Sequence, residues 1–157
     1  MKTLLVYDSA FGNTEKVALE IARLVRQHSL LLLSRIEEAN LLDLEGVDLL
    51  VVGSPTQRHQ PTLSIQAWLA QIPDGALRHL QASAFDTRYN MPTVISGSAA
   101  SAIRKQLRKK GARRVLPSGS FVVSDREGPL VEGEIERVAE WVRQILAEAG
   151  VNLGAEL

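Results

Sequence analysis

Residues 4–15 read LLVYDSAFGNTE. The apolar run Leu4–Tyr7 predicts a buried β-strand, and the amphipathic pattern that begins near Asn13 predicts a helix. Between them lies a short turn of hydroxyl and amide side chains with Gly12, which lets the backbone turn tightly. The free N–H groups of a first helical turn point toward one spot, and the helix dipole favours negative charge there. The stretch therefore predicts a phosphate-binding turn, with an ordinary helix start capped by Asn13 as the alternative.

Short apolar runs alternate with amphipathic helices along the rest of the chain, which is typical of βαβ units. The predicted strands are Thr3–Tyr7, Ser29–Leu33, Asp48–Gly53, Ala82–Phe85 and a last strand, Val115–Leu116 with Ser120–Val123, interrupted at Pro117 and Gly119. The predicted helices are Asn13–Gln27, Leu63–Gln71, Ala99–Lys110 and Gly133–Ala149, with one helical turn between Glu37 and Gly46. The expected fold is α/β, a doubly wound open parallel five-stranded sheet with helices on both faces. We expect one domain over residues 1–150 and a C-terminal tail over 151–157.

Composition narrows the classes of function. Apolar residues make up 45% of the 157 residues, which is enough for a sizeable core. The 18 basic and 18 acidic side chains cancel, so we expect neither a nucleic acid partner nor a membrane surface. The chain has no cysteine, which excludes disulfides, thiolate nucleophiles and Cys-ligated metals and fits a cytoplasmic protein. The histidines have no carboxylates at metal-ligand spacing, so no metal site is expected.

Ligands of doubly wound sheets bind outside the carboxyl ends of the strands. Three segments with unusual composition follow such ends in this chain, at residues 8–14, 54–61 and 86–90. None contains the G-x-G-x-x-G dinucleotide pattern or the G-x-x-x-x-G-K-[ST] P-loop. The pattern G-x-S-x-G of α/β-hydrolases is also missing. No Lys or Arg lies between Lys2 and Lys16, so neutral donors and the helix dipole would hold the phosphate.

Residues 6–18 resemble the flavin mononucleotide (FMN) phosphate loop of the flavodoxin family. The family pattern is a hydroxyl residue, variable positions, then Gly-x-Thr and a Glu that opens the first helix. Ser9, Gly12, Asn13 and Thr14 fit this pattern, whereas the positions of Ala10 and Phe11 carry further hydroxyl groups in many members. The resemblance extends to Val52–Thr56 and Phe85–Arg88 and to the stretch from Phe121 to Trp141, so it covers nearly the whole chain. It implies the strand order 2-1-3-4-5 and FMN as cofactor.

The same resemblance assigns the cofactor contacts. The phosphate would be held by residues of the first segment, namely Ser9, Ala10, Phe11, Gly12, Asn13 and Thr14. The flavin ring would lie against the second and third segments, namely Pro55, Thr56, Gln57, Arg58, His59, Asp86, Thr87, Arg88 and Tyr89. Tyr89 and His59 are candidates to stack on the ring, and an exposed loop position is the alternative for each. For Asp86–Arg88 the alternative is a local ion pair that fixes a turn.

The resemblance leaves three functions open. The first is an FMN-binding electron carrier, which exchanges electrons with a redox partner protein. The second is an FMN-dependent NAD(P)H oxidoreductase of the quinone or flavin reductase type, with a nicotinamide donor. The third is a flavin-free binding or regulatory module. A homodimer that covers the flavin edge stays open as well, and the basic cluster on the helix at Ala99–Lys110 is interpreted as a solvated face.

Overall fold

The sheet is parallel throughout and has the strand order β2-β1-β3-β4-β5, with β6 also paired to β4. This is a computed structural model, and it describes residues 1–154. The elements in chain order are β1 (Lys2–Tyr7), α1 (Asn13–Val25), β2 (Leu30–Arg35), β3 (Leu49–Pro55), α2 (Leu63–Gln71), β4 (Gln81–Tyr89), α3 (Thr93–Ser96), α4 (Ala99–Lys109), β5 (Arg114–Val115), β6 (Gly119–Val123) and α5 (Glu134–Glu148). The predicted doubly wound fold and its strand order are confirmed.

The two faces of the sheet are covered by different helices. Along β1, the side chains of Leu4 and Val6 pack in the core under α2 and α4, and those of Leu5 and Tyr7 pack in the core under α1 and α5. This alternation follows from the period of two in a strand, and burial on both faces explains why the central strands read as continuous apolar runs. Trp68 and Trp141 are buried, one in each core, as their helical spacing predicts.

The fifth position of the sheet is occupied by two short strands. β5 pairs with the first two residues of β4, and β6 pairs with the stretch Phe85–Tyr89. The interruption falls at residues 116–118, as predicted at Pro117, but Gly119 does not break the strand: it is the first residue of β6 and pairs with Phe85.

The third site segment needs a correction, because it is a strand and not a loop. β4 does not end at Phe85 but continues to Tyr89, in register with β6 from Asp86↔Ser120 to Tyr89↔Val123. The polar residues after Phe85 looked like a turn, but the ladder to β6 holds them extended, and strand propensity is weak against such context.

Smaller differences concern the ends of elements. β2 and β3 run two residues further than predicted, to Arg35 and Pro55, and α1 ends at Val25. The region with one predicted helical turn holds two 3-10 turns, Ile36–Glu38 and Leu41–Leu44, and the short helix α3 was not predicted.

The chain packs beyond residue 150. The Val151 N–H donates to the carbonyl of Leu146 at 3.0 Å, and Val151 and Leu153 pack against the core under α5. Of the predicted tail 151–157, the last three residues lie outside the described residues. Within residues 1–154, no helix is both long enough and apolar enough to cross a membrane.

Candidate functional site

A cleft of about 910 Å³ opens at the carboxyl ends of β1, β3 and β4. All three predicted segments contribute to it, through Ala10, Phe11, Asn13, Thr14, Pro55, Thr56, Gln57, Arg58, Thr87, Arg88 and Tyr89. Four predicted residues do not line it, namely Ser9, Gly12, His59 and Asp86. Six further residues line it: Gln60 and Pro61 lie in the predicted second segment, and Leu63, Gln66, Val123 and Arg126 lie outside all three segments. The volume lies in the range of small-molecule and cofactor clefts.

Ser9 organises the turn from behind. Its hydroxyl oxygen accepts from the N–H of Gly12 at 3.1 Å and from the N–H of Glu15 at 3.3 Å. Gly12 has a φ of 89°, a left-handed conformation that favours glycine and that directs the chain into α1. The hydroxyl of Ser9 thus pins the turn to the helix start.

Four other N–H groups of this turn are free to bind a ligand. Within residues 1–154, no atom accepts from the N–H groups of Ala10, Phe11, Asn13 or Thr14. These four residues all line the cleft, whereas Ser9 and Gly12, whose groups are already bonded, do not. Unpaired N–H groups at a helix start are ready to bind an anion, and the dipole of α1 adds to the attraction.

A pair of hydroxyl groups lies beside these N–H groups. The Oγ1 atoms of Thr14 and Thr87 are 2.8 Å apart, and both residues line the cleft although they are almost fully buried. Only one of the two hydroxyl protons is used in this hydrogen bond. The other proton is therefore left to donate to another acceptor.

The acidic residue in the first turn of α1, Glu15, is paired with groups outside the cleft lining. The Oε2 atom of Glu15 accepts from the Tyr7 hydroxyl at 2.9 Å and pairs with Arg35. Burial raises the pKa of the Tyr7 hydroxyl, and its hydrogen bond to Glu15 acts in the same direction, so the phenol remains a donor. Glu15 does not line the cleft, and its charge therefore opposes an anion only weakly.

The second segment forms a strained two-residue turn. The backbones of Gln57 and Gln60 exchange two hydrogen bonds of 2.8 and 2.9 Å, and the residues between them, Arg58 and His59, have φ values of 48° and 71°. Turns of this kind favour Asn and Gly, and each non-glycine residue in this region costs about 1 kcal/mol. His59 packs against Gly97, where a Cβ atom would lie 2.5 Å from the Cα of His59. The turn therefore rests on the segment that precedes α4.

Asp86 in the third segment is fully buried below the cleft. Its carboxylate accepts from the Ser98 hydroxyl at 2.7 Å, the Ala100 N–H at 3.0 Å and the Ser120 hydroxyl at 2.5 Å. It therefore ties β4 to β6 and to the start of α4. The first N–H of α4, that of Ala99, donates to the Thr56 hydroxyl at 3.1 Å. The N-terminus of α4 is capped by the protein itself.

Arg88 holds the rim of the cleft above Asp86. Its Nε donates to the Ser120 hydroxyl at 2.7 Å, and its terminal nitrogen donates to the carbonyls of Tyr89 and Met91 at 3.2 and 2.8 Å. Tyr89 lies at this rim and is 36% exposed. The Tyr89 ring thus has a supported backbone and an accessible face.

The loop between β6 and α5 closes over the first turn. The Arg126 guanidinium lies 5.8 Å from the centre of the Phe11 ring, a cation–π geometry. The Asn13 side chain donates to the Glu127 carbonyl at 3.0 Å, and a Cβ atom on Gly128 would lie 2.5 Å from its Oδ1. Residues more than a hundred positions apart meet here, and no local pattern in the sequence indicates that contact.

The comparisons agree with this architecture. Residues 5–141 match the family model described as Flavodoxin. Among solved structures, oxidised Flavodoxin 1 from Bacillus cereus superposes with a TM-score of 0.75 at 18% identity, over 94% of this chain and 98% of that one. A flavodoxin from the domain Archaea gives a TM-score of 0.70 at 18% identity, over 96% and 99%. The rubredoxin oxygen:oxidoreductase from Desulfovibrio gigas gives 0.74 at 18% identity, over 95% of this chain and 36% of that one. A search of curated proteins finds no significant match.

A doubly wound sheet with unpaired N–H groups in the turn after its first strand is typical of α/β proteins that bind phosphate-bearing ligands. The chain belongs to the flavodoxin family. Proteins of this family bind a flavin and transfer electrons to redox partners, and the chain is assigned to that function by its membership.

The buried carboxylate of Asp86 gives a stability prediction. Both carboxylate oxygens of Asp86 accept hydrogen bonds. In Asp86→Asn, an N–H₂ group, which cannot accept, replaces one of these oxygens, so at least one donor loses its partner. We expect the free energy of unfolding to fall by about 1–3 kcal/mol, measured by urea denaturation.

The matched control is Asp125→Asn, which removes an exposed carboxylate next to the cleft loop. We expect that change to stay within about 0.5 kcal/mol. Equal stability of both variants would contradict the role given to Asp86.

Proposed function

We propose that the flavin of this protein is FMN and that the β1–α1 turn binds its phosphate. The observation that carries the proposal is the set of four unpartnered N–H groups, at Ala10, Phe11, Asn13 and Thr14, which all lie on the cleft. A phosphate offers several acceptor oxygens, and N–H groups arranged around one point suit it better than they suit a neutral ligand. Riboflavin, which lacks the phosphate, offers no such acceptor.

The residues of the cleft fit the charge of the phosphate. Arg126 approaches the turn over Phe11, and no Asp or Glu lines the cleft among residues 1–154. The one hydroxyl proton that the Thr14 and Thr87 pair leaves over can donate to a phosphate oxygen. Phosphate binding would thus combine four backbone donors, one hydroxyl and one guanidinium.

The ring would lie along the second and third segments. Pro55, Thr56 and Gln57 line the cleft beside Thr87, whose carbonyl accepts from the Thr56 N–H at 2.9 Å, and Tyr89 lines it further along β4. Tyr89 supplies an aromatic face at the rim, where such rings stack on planar ligands. The bound flavin supplies the redox chemistry, and the protein supplies orientation and electrostatics.

We further propose that the protein is an electron carrier, which exchanges electrons with a separate redox partner protein. The lack of cysteine supports a reducing compartment such as the cytoplasm.

Mixing the FMN-loaded protein with NADPH under anaerobic conditions distinguishes an electron carrier from an oxidoreductase. A carrier keeps its visible absorption until a partner reductase is added, and rapid bleaching without a partner would favour the oxidoreductase.

The affinity for FMN relative to riboflavin tests the phosphate site. Flavin-free protein is titrated with each ligand, and binding is followed by flavin fluorescence and visible absorption. We expect FMN to bind at least about 100-fold more tightly, because charged hydrogen bonds contribute about 1.5–3 kcal/mol each. Equal affinities would contradict the phosphate assignment, and failure to bind either ligand would contradict flavin binding altogether.

Removal of one hydroxyl at the same site gives a finer prediction. Thr14→Val keeps the shape of the side chain but has no proton to donate and no oxygen. We expect its FMN dissociation constant to rise about 10- to 150-fold, with riboflavin affinity unchanged, because one charged hydrogen bond of about 1.5–3 kcal/mol is lost.

Thr14→Ser keeps the hydroxyl and serves as the control, with FMN affinity close to that of the parent. Circular dichroism confirms that both variants are folded. A parallel loss of riboflavin and FMN affinity in Thr14→Val would place the effect on folding of the cleft and not on the phosphate.

A further inference from the structure

The charged side chains that line the cleft are all of one sign. They are Arg58, Arg88 and Arg126, and no carboxylate lines the cleft within the described part of the chain. The protein as a whole is neutral, with 18 basic and 18 acidic residues. Positive charge is thus concentrated at the place where the ligand is expected.

Three carboxylates close to the cleft, those of Asp8, Glu15 and Asp86, are bound by groups of the protein itself. Asp8 accepts from the Ser9 N–H at 2.8 Å and from the Thr62 hydroxyl at 2.6 Å. Glu15 is bound by Tyr7 and Arg35, which do not line the cleft, and Asp86 is buried among three donors. These carboxylates are used within the fold, whereas the three arginines line the cleft.

The three arginines lie at two different ends. Arg126 lies over Phe11, which places it at the phosphate end. Arg88 lies beside Tyr89, held by Ser120, and Arg58 occupies the strained turn of the second segment, so both belong to the ring end. Among residues 1–154 no carboxylate pairs with Arg58. Its full charge is available to a ligand.

We propose that Arg58 and Arg88 make the cleft selective for the reduced, anionic form of the flavin over the oxidised form. The inference rests on the proposed function. Reduction takes two electrons from a donor, which is oxidised by two electrons, and one proton from water, so the ring gains one net negative charge. Guanidinium groups at the ring end attract that charge. Tighter binding of the reduced form raises the reduction potential of the bound flavin, because ligand affinity and redox equilibrium are linked.

The arginine at the phosphate end has a different effect. The phosphate carries the same charge in both redox states, so Arg126 strengthens the binding of both states about equally. Its removal therefore weakens affinity and leaves the potential nearly unchanged. This contrast between Arg126 and Arg58 separates selectivity for the reduced form from a general attraction of anions.

The decisive experiment compares FMN affinity and reduction potential in four variants. The dissociation constant of oxidised FMN is measured by fluorescence, and the potential by anaerobic dithionite titration against a reference dye. In Arg58→Gln we expect the preference for the reduced form to fall about three- to fivefold, the size typical of an exposed charge pair. A tenfold loss corresponds to about 30 mV in a two-electron couple.

Three control variants make the result specific. Arg58→Lys keeps the charge and therefore the preference for reduced flavin. Arg126→Gln raises the dissociation constant of FMN and leaves the reduction potential unchanged. Arg143→Gln, on the exposed side of α5, changes neither the dissociation constant nor the potential. A potential in Arg58→Gln equal to that of the parent, with FMN still bound, would overturn the inference and leave the proposed function intact. If the parent protein does not bind FMN at all, the proposed function itself is refuted.

Discussion

The site depends on one hydroxyl oxygen, that of Ser9, which accepts from two backbone N–H groups of the turn between β1 and α1. With Gly12 in a left-handed conformation, these two bonds fix the path of the chain into the helix. The two hydrogen bonds also determine which backbone N–H groups have a partner within the turn. The N–H groups of Gly12 and Glu15 are satisfied within the turn, and the neighbouring groups that face the cleft are left for a ligand.

The helices α1 and α4 both begin near the cleft, but they differ in how their first N–H groups are bonded. The first N–H groups of a helix lack partners within the helix. At α4 they donate to Thr56, to the buried carboxylate of Asp86 and to the hydroxyl of Ser98. At α1 they remain open on the side of the cleft. Unpaired donors are therefore present at the cleft end of α1, whereas the donors at the start of α4 are bound by the protein itself.

The sequence predicted the architecture well, because the fold follows from local patterns. The buried strands read as apolar runs, the helices have clear apolar faces, and the break at Pro117 follows from the N–H that proline lacks. The sequence was less informative about the third segment. Asp is a residue type common in turns, and only the hydrogen-bonded ladder between β4 and β6 shows that Asp86 is a buried strand residue.

Two features of the site are tertiary in origin. Ser9 had the right residue type for a phosphate donor, but its distance from the cleft depends on the geometry of the turn. Arg126 reaches Phe11 across more than a hundred residues, and the arginines of the cleft come from three separate elements. Their common sign, in a protein without net charge, becomes visible only when the chain is folded.

Amide chemical shifts of the first turn test the central claim most directly. On addition of FMN to ¹⁵N-labelled protein, the N–H resonances of Ala10, Phe11, Asn13 and Thr14 are expected to move downfield as they bond to the phosphate. Those of Gly12 and Glu15, already bonded to Ser9, should move much less, and riboflavin should leave all six nearly unchanged. Equal shifts with riboflavin, or shifts confined to residues outside the turn, would contradict the account.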